Sequence, residues 1–146
     1  MGTIREDYVS FETAKLLKEK GFDEYCFCIN YPLPEGEHHN IILPNLLNNS
    51  MIPFTDEYKF CRYKEDFITI PTLQMAMKWL REEYNLFIQV TIVPHTTITM
   101  EQKYFLFSIH KDRRRLAFRK DFPSEYYFTY EEACEAAIKY CLEYLI

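Results

Sequence analysis

The chain has 146 residues and a formal net charge of −5, with 48% hydrophobic and 27% charged residues. This length can bury the core of one domain without disulfides or metal, and the composition is typical of a globular protein. No apolar run is long enough to span a bilayer, and the N-terminal segment lacks the apolar stretch of a secretory signal. These features argue against a membrane protein and predict a single cytoplasmic domain over residues 1–146.

Two helices are predicted from their end signals and apolar spacing. The first covers about residues 11–20, where Ser10 suits the N-cap and Gly21 supplies a left-handed stop. The second covers about residues 71–84, where Pro71 suits the first turn and an apolar stripe follows at helical spacing.

A third helix and a sheet complete the predicted fold. Thr129 and Glu132 have the spacing of a capping box, and the helix that follows runs almost to Ile146. The predicted strands lie at residues 24–30, 86–93, 104–110 and 116–119. Together these elements predict an α+β domain with an antiparallel sheet of about four strands and three helices, the C-terminal helix packed on the sheet.

Residues 31–66 form a long irregular excursion in this prediction. Prolines and asparagines interrupt every periodic pattern there. An irregular stretch of this length is either a binding loop or contains short strands. The best candidates for such strands are residues 41–43 and 58–63.

The glycine content excludes several classes of enzyme. The chain has three glycines, which are Gly2, Gly21 and Gly36. Walker A loops, dinucleotide-binding fingerprints and nucleophile elbows all need clustered glycines for close backbone approach. Nucleotide hydrolases and dehydrogenases of these types are therefore disfavoured, and no cofactor is predicted.

The five cysteines predict reduced thiols rather than a metal site or a nucleophile. Cys26 and Cys28, with His38, His39 and Cys61, are conceivable zinc ligands, but known structural sites place two or more residues between paired cysteines. The other two cysteines fit the apolar stripe of the C-terminal helix. The prediction is five free thiols and no bound metal.

The strongest functional signal is the cationic segment at residues 111–120 (KDRRRLAFRK). It has a net charge of +5, which leaves −10 on the remaining residues. Such a segment in an acidic protein predicts recognition of an anionic ligand or partner. The candidate binding residues are Arg113, Arg114, Arg115, Arg119 and Lys120, with Tyr104, Phe105 or Phe118 available for stacking.

The alternative is that this segment is a solvated hairpin turn. Asp112, Asp121 and Glu125 are close enough in sequence to neutralise it. Binding of an extended nucleic-acid duplex is disfavoured in either case, because the pI of about 5.4 means that the rest of the chain repels a polyanion.

Three segments carry a resemblance to a known family. They are DYVSFETAKLLKEKGFDE at residues 7–24, PTLQMAMKWLREEYNLFIQV at residues 71–90 and FTYEEACEAAIKYCLEYLI at residues 128–146. Together they resemble small proteins, without an assigned function, of prophages and other mobile elements in gut bacteria. Because the shared motifs are caps and apolar stripes, no catalytic or binding residue is carried over. The resemblance implies an accessory protein of a mobile element.

The functional hypothesis is a non-enzymatic interaction protein or ligand-sequestering protein of a mobile element. Its oligomeric state stays open, with a homo-oligomer among the expectations. The alternative is a small enzyme that acts on a nucleotide or a protein, with its catalytic groups in residues 31–66.

Overall fold

The computed structural model describes residues 4, 6–24, 26, 28–32, 38–42, 68–93, 104–117 and 126–146. The chain divides into two compact units, Met1–Thr72 and Leu73–Ile146. In the described residues, helices α1 to α3 span Phe11–Glu19, Leu73–Tyr84 and Tyr130–Tyr140. Strands β1 to β6 span Cys28–Pro32, His38–Ile42, Ile68–Ile70, Phe87–Val93, Tyr104–Lys111 and Arg114–Ala117. The predicted α+β class is confirmed.

Helix α1 begins and ends at the predicted signals. The Ser10 hydroxyl accepts a hydrogen bond from the backbone N–H of Thr13 at 3.2 Å, which satisfies one of the free donors of the first turn. At the other end Gly21 adopts φ +92°, and the N–H of Phe22 reaches back to the carbonyl of Leu17 at 2.9 Å. This is the Schellman arrangement, in which the left-handed residue is nearly always glycine.

The first unit contains a three-stranded antiparallel sheet in which β1 is central, between β2 and β3. Helix α1 packs against β3, where Ile70 is completely buried. β2 includes two of the three residues in the predicted short strand 41–43. The other predicted strand, residues 58–63, lies outside the described residues, as do residues 33–37 and 43–66 of the predicted excursion.

Helix α2 starts at Leu73, two residues later than predicted. The carbonyl of Pro71 accepts a hydrogen bond from the N–H of Val9 at 3.0 Å, and Thr72 forms an antiparallel bridge with Tyr8. Pro71 and Thr72 are therefore extended and belong to the first unit. The helix ends at Tyr84 and is followed by Asn85, whose φ is +57°.

The second unit contains an antiparallel sheet in the order β4-β5-β6, with β4 at one edge. Helix α3 packs on β5 and β4, with ring contacts from Tyr130 to Phe105 at 6.3 Å and from Tyr140 to Phe107 at 6.5 Å between centroids. The predicted packing of the C-terminal helix on a sheet is confirmed. The face that carries Phe105 and Phe107 is called the inner face below, and the opposite face is called the outer face.

The capping box of α3 is formed as predicted. The Thr129 hydroxyl accepts from the N–H of Glu132 at 3.1 Å, and the Glu132 carboxylate accepts from the N–H of Thr129 at 3.3 Å. Beyond Tyr140 the helix widens into one π-helical turn, Cys141–Leu145. Within the described residues, no helix combines the length and apolar character needed to cross a membrane.

Candidate functional site

The cationic segment begins at a tight hairpin turn between β5 and β6. Asp112 and Arg113 are its two central residues, with φ of +48° and +64°. Two successive residues in the left-handed region are what a type I′ turn requires, and its twist matches that of the flanking strands. Lys111 pairs with Arg114 across the turn. We call residues 111–115 the basic turn.

The basic turn concentrates positive charge on an exposed surface. Four of its side chains are cationic, and Asp112 is acidic, so its net charge is +3. Residues 112–115 are all exposed. In the described part of the chain neither Arg113 nor Arg114 makes an ion pair, although Arg115 interacts with other groups. The exposed guanidinium groups of Arg113 and Arg114 can therefore donate hydrogen bonds to an anionic ligand.

The Asp112 carboxylate in the basic turn is hydrogen-bonded to an uncharged side chain. The side-chain amide of Asn85 donates a hydrogen bond of 2.5 Å to the Asp112 carboxylate. Asn85 itself stands in the left-handed conformation that ends α2. This contact joins the end of the helix to the hairpin turn, and it holds Asp112 through an amide rather than through an arginine.

The structure brings together three of the five predicted binding residues. Arg113 lies in the turn, and Arg114 and Arg115 begin β6. Arg119 and Lys120 lie outside the described residues, as do the proposed neutralising residues Asp121 and Glu125.

The predicted stacking residues separate onto two faces. Tyr104 is on the outer face of the sheet, because it alternates with Phe105, which contacts α3. Phe105 therefore belongs to the core of the unit. Phe118 lies outside the described residues.

A row of side chains crosses the outer face beside the basic turn. Phe87 on β4 pairs with His110 on β5, and His110 pairs with Arg115 on β6. Directly opposed residues share one face of a sheet, about 5 Å apart from strand to strand. An exposed aromatic ring, an imidazole and a guanidinium group thus lie side by side. This row was missed in the sequence, because it depends on the register of three strands.

Among the described residues of this face, Ser108 and His110 form a pair that resembles a nucleophile and its base. The distance from Ser108 Oγ to His110 Nε2 is 2.9 Å. However, Ser108 is only 6% exposed, and no carboxylate in the described residues is hydrogen-bonded to the imidazole. Hydrolytic triads need an accessible hydroxyl and a third group that orients the base. The geometry therefore favours a role for Ser108 in orienting His110 on the sheet.

The described cysteines are buried and free. Cys26, Cys134 and Cys141 form no disulfide. Burial raises the pKa of Cys134 to about 11 and that of Cys141 to about 12, so both thiols stay protonated near neutral pH. A protonated, buried thiol is a poor nucleophile, which agrees with the predicted packing role.

No metal site is formed by the described residues. No group of three or more His, Cys, Asp or Glu side chains lies there in a metal-binding arrangement. Of the zinc ligands considered from the sequence, Cys26 is described and its thiol contacts the Glu24 carbonyl. Cys61 and the side chains of Cys28, His38 and His39 lie outside the description.

Comparison with known protein families, with curated proteins and with solved structures finds no match to this chain.

Proposed function

We propose that this is a non-enzymatic binding protein that recognises an anionic ligand or partner through the basic turn. The observation that carries the proposal is the arrangement of Arg113 and Arg114. Both are exposed, neither makes an ion pair in the described residues, and the neighbouring acid Asp112 is held by Asn85. Guanidinium groups so placed suit bidentate contacts to phosphate or carboxylate.

Two contacts support the basic turn where the ligand would bind. A two-residue turn holds Lys111 and Arg114 as direct cross-strand neighbours, and the Asn85–Asp112 hydrogen bond fixes the turn against the end of α2. A preorganised cluster of cations loses less conformational entropy on binding than the same residues in a flexible loop. This favours recognition over a merely solvated turn.

The biological setting in this proposal is a bacterial cytoplasm, as an accessory protein of a prophage or other mobile element. The support is the resemblance of residues 7–24, 71–90 and 128–146 to such proteins. Reduced thiols in a cytosol agree with the three free cysteines described above.

The test uses inorganic polyphosphate as an anionic probe with no aromatic groups. The wild-type protein should bind it in isothermal titration calorimetry at low salt, and added salt should weaken binding because it screens the charges. The double variant Arg113→Ser/Arg114→Ser should bind at least about tenfold more weakly, since a charge-assisted hydrogen bond contributes about 1.5–3 kcal/mol.

The matched control is Lys78→Ser/Lys139→Ser. It removes the same charge from the same unit, but each of these lysines is paired with a glutamate on its own helix, Glu82 and Glu143 respectively. Its affinity for polyphosphate should stay within about twofold of wild type. If the arginine and lysine variants weaken binding equally, only net charge matters, and the basic turn is not a specific site.

A further inference from the structure

We infer that the outer face of the β4-β5-β6 sheet binds a single-stranded nucleic acid, with phosphates at the basic turn and bases stacked on exposed aromatic rings. This inference rests on the proposed function, because it names the ligand of the same basic turn. It adds a second contact region, at the opposite end of β5.

The second region is a cluster of three aromatic rings. The N–H and carbonyl of Tyr127 bond to the carbonyl and N–H of Phe105, at 3.1 and 2.8 Å, so the chain before α3 continues the sheet beside β5. Tyr127 is on the inner face, where its ring contacts Phe107. Its neighbours Tyr126 and Phe128 therefore lie on the outer face.

On that face the rings of Tyr126 and Phe128 meet the ring of Tyr104. The centroids of Tyr104 and Tyr126 are 5.4 Å apart, and those of Tyr104 and Phe128 are 5.6 Å apart. Phe128 is 66% exposed and Tyr126 is 40% exposed. Every nucleobase has a flat face that can stack on rings exposed to this degree.

Between the two ends, Ser108 in the middle of β5 is buried, and the exposed side chains of the outer face lie on β4. From His110 to Tyr104 the face extends about 20 Å along β5, a length that suits the short end of the usual range of about 4–16 nucleotides. Gln89 and Thr91, on the outer face of β4, are exposed and offer hydrogen bonds to base edges. Phe87 adds a stacking ring at the cationic end, where it is 47% exposed.

The same features discriminate against a duplex and against an acidic peptide. The bases of a duplex are stacked on each other, and their faces are not available to protein rings. An acidic peptide would need an aromatic side chain about 20 Å from its acidic groups to use both regions, whereas every nucleotide carries both a phosphate and a planar base. Arg115 on the outer face and Arg113 in the turn lie at one end of a face that carries exposed rings at its other end, and this combination favours unpaired nucleotides.

The experiment measures fluorescence anisotropy with a labelled oligodeoxythymidine of about 12 nucleotides, within the usual range of site sizes. Wild type should bind it. The double variant Tyr126→Ala/Phe128→Ala should bind it at least about fivefold more weakly, since this is the least that loss of one stacked base costs. Affinity of that variant for inorganic polyphosphate should not change.

The matched control is Tyr144→Ala. Tyr144 is 69% exposed, but it lies in the π-helical turn and packs on Tyr140 rather than on the outer face. This variant should bind the oligonucleotide like wild type. Because Phe128 lies next to the α3 cap, Phe87→Ser gives a second test on a different strand, and it should also weaken oligonucleotide binding.

The outcomes separate this inference from the proposed function. If both aromatic variants bind the oligonucleotide as tightly as wild type, or if wild type does not bind it, the nucleic-acid inference is wrong. In either case polyphosphate binding that still depends on Arg113 and Arg114 would leave the proposed function standing. If Arg113→Ser/Arg114→Ser binds polyphosphate normally, the proposed function itself fails.

Discussion

Asn85 and Asp112 are 27 residues apart in the chain, and a single hydrogen bond joins their side chains. Both residues have left-handed backbone conformations, one at the end of α2 and the other in the β5–β6 turn. Asparagine and aspartate tolerate this conformation better than most residues. The contact therefore joins the end of α2 to the β5–β6 turn. It also engages the carboxylate of the basic turn in a hydrogen bond with an uncharged side chain.

Asp112→Asn should raise affinity for polyphosphate and leave stability nearly unchanged. The new amide keeps an oxygen that can accept from Asn85, while the turn loses its negative charge. Calorimetric titration and urea unfolding measure the two effects separately. Asp112→Ala is the comparison, because it also loses the acceptor and should unfold at lower urea, by about 0.5–1.5 kcal/mol. Unchanged polyphosphate affinity in both variants would show that Asp112 does not oppose anion binding.

Arg113→Gly should stabilise the fold and weaken anion binding at the same time. Arg113 has φ +64°, which costs a residue with a Cβ about 1–2 kcal/mol, whereas glycine adopts it freely. Thermal unfolding should therefore shift upward, while polyphosphate affinity should fall. Arg113→Ala serves as control, since it loses the charge but keeps the strain. A lower melting temperature for Arg113→Gly would contradict this account of the turn.

Thr129→Ala should destabilise the protein by about 1 kcal/mol, through loss of the N-cap hydrogen bond of α3. Urea unfolding at neutral pH gives the free energy of unfolding. Thr129→Ser keeps the hydroxyl and should stay within a few tenths of a kcal/mol of wild type. Equal losses of unfolding free energy in the two variants would mean that the methyl group of Thr129, and not its capping hydroxyl, accounts for the effect.

The free energy of unfolding should fall as pH rises from about 9 to about 11, in part because the buried thiols keep their protons in the folded chain. Burial raises the pKa of Cys134 to about 11 and that of Cys141 to about 12, from an ordinary value of 9.0. In that range the unfolded chain releases these protons while the folded chain keeps them, so alkali favours unfolding.

The measurement is the urea midpoint as a function of pH for wild type and for Cys134→Ala/Cys141→Ala. The variant is destabilised at every pH by the cavities that it creates. Above pH 9 the urea midpoint of the variant should decline less steeply than that of wild type, because two titrating groups are gone. Parallel curves would mean that these thiols do not contribute to the alkaline loss of stability.

Local signals in the sequence were sufficient for the helices. The signals at the ends of a helix lie within a few residues of those ends. The structure confirms Ser10 and Gly21 for α1, and Thr129 and Glu132 for α3. The start of α2 is the exception. Pro71 has the intrinsic preference for a first helical turn, but its carbonyl is used by Val9, a residue far away in the sequence. Tertiary pairing here outweighs the local preference.

The hairpin turn was harder to place, because it contains no glycine. Two-residue turns of this type are usually recognised as Asn-Gly or Asp-Gly, whereas this one is Asp112-Arg113. The sequence pattern therefore predicts that the following strand begins at residue 116, whereas in the structure it begins at Arg114. Arg114 and Arg115 consequently belong to a strand, where pairing with Lys111 and His110 fixes their positions.

The outer-face row and the aromatic cluster could not be predicted. Phe87, His110 and Arg115 become neighbours only through the register of two strand pairs. Tyr126 and Phe128 reach Tyr104 through one bridge between Phe105 and Tyr127. Periodicity reports which residues share a face of one strand, but not which strands pair or how far they are shifted.

Among the described strands, β4 lies at an edge of its sheet, and this position has a consequence for handling the protein. Phe87–Val93 reads FIQVTIV, without a charge, a proline or a glycine, whereas natural edge strands usually carry such protection against pairing with another chain. Concentrated or warmed samples are therefore expected to self-associate along this strand. Ile92, 56% exposed, is the position at which a lysine would interrupt that pairing, so Ile92→Lys should delay the rise in light scattering on heating.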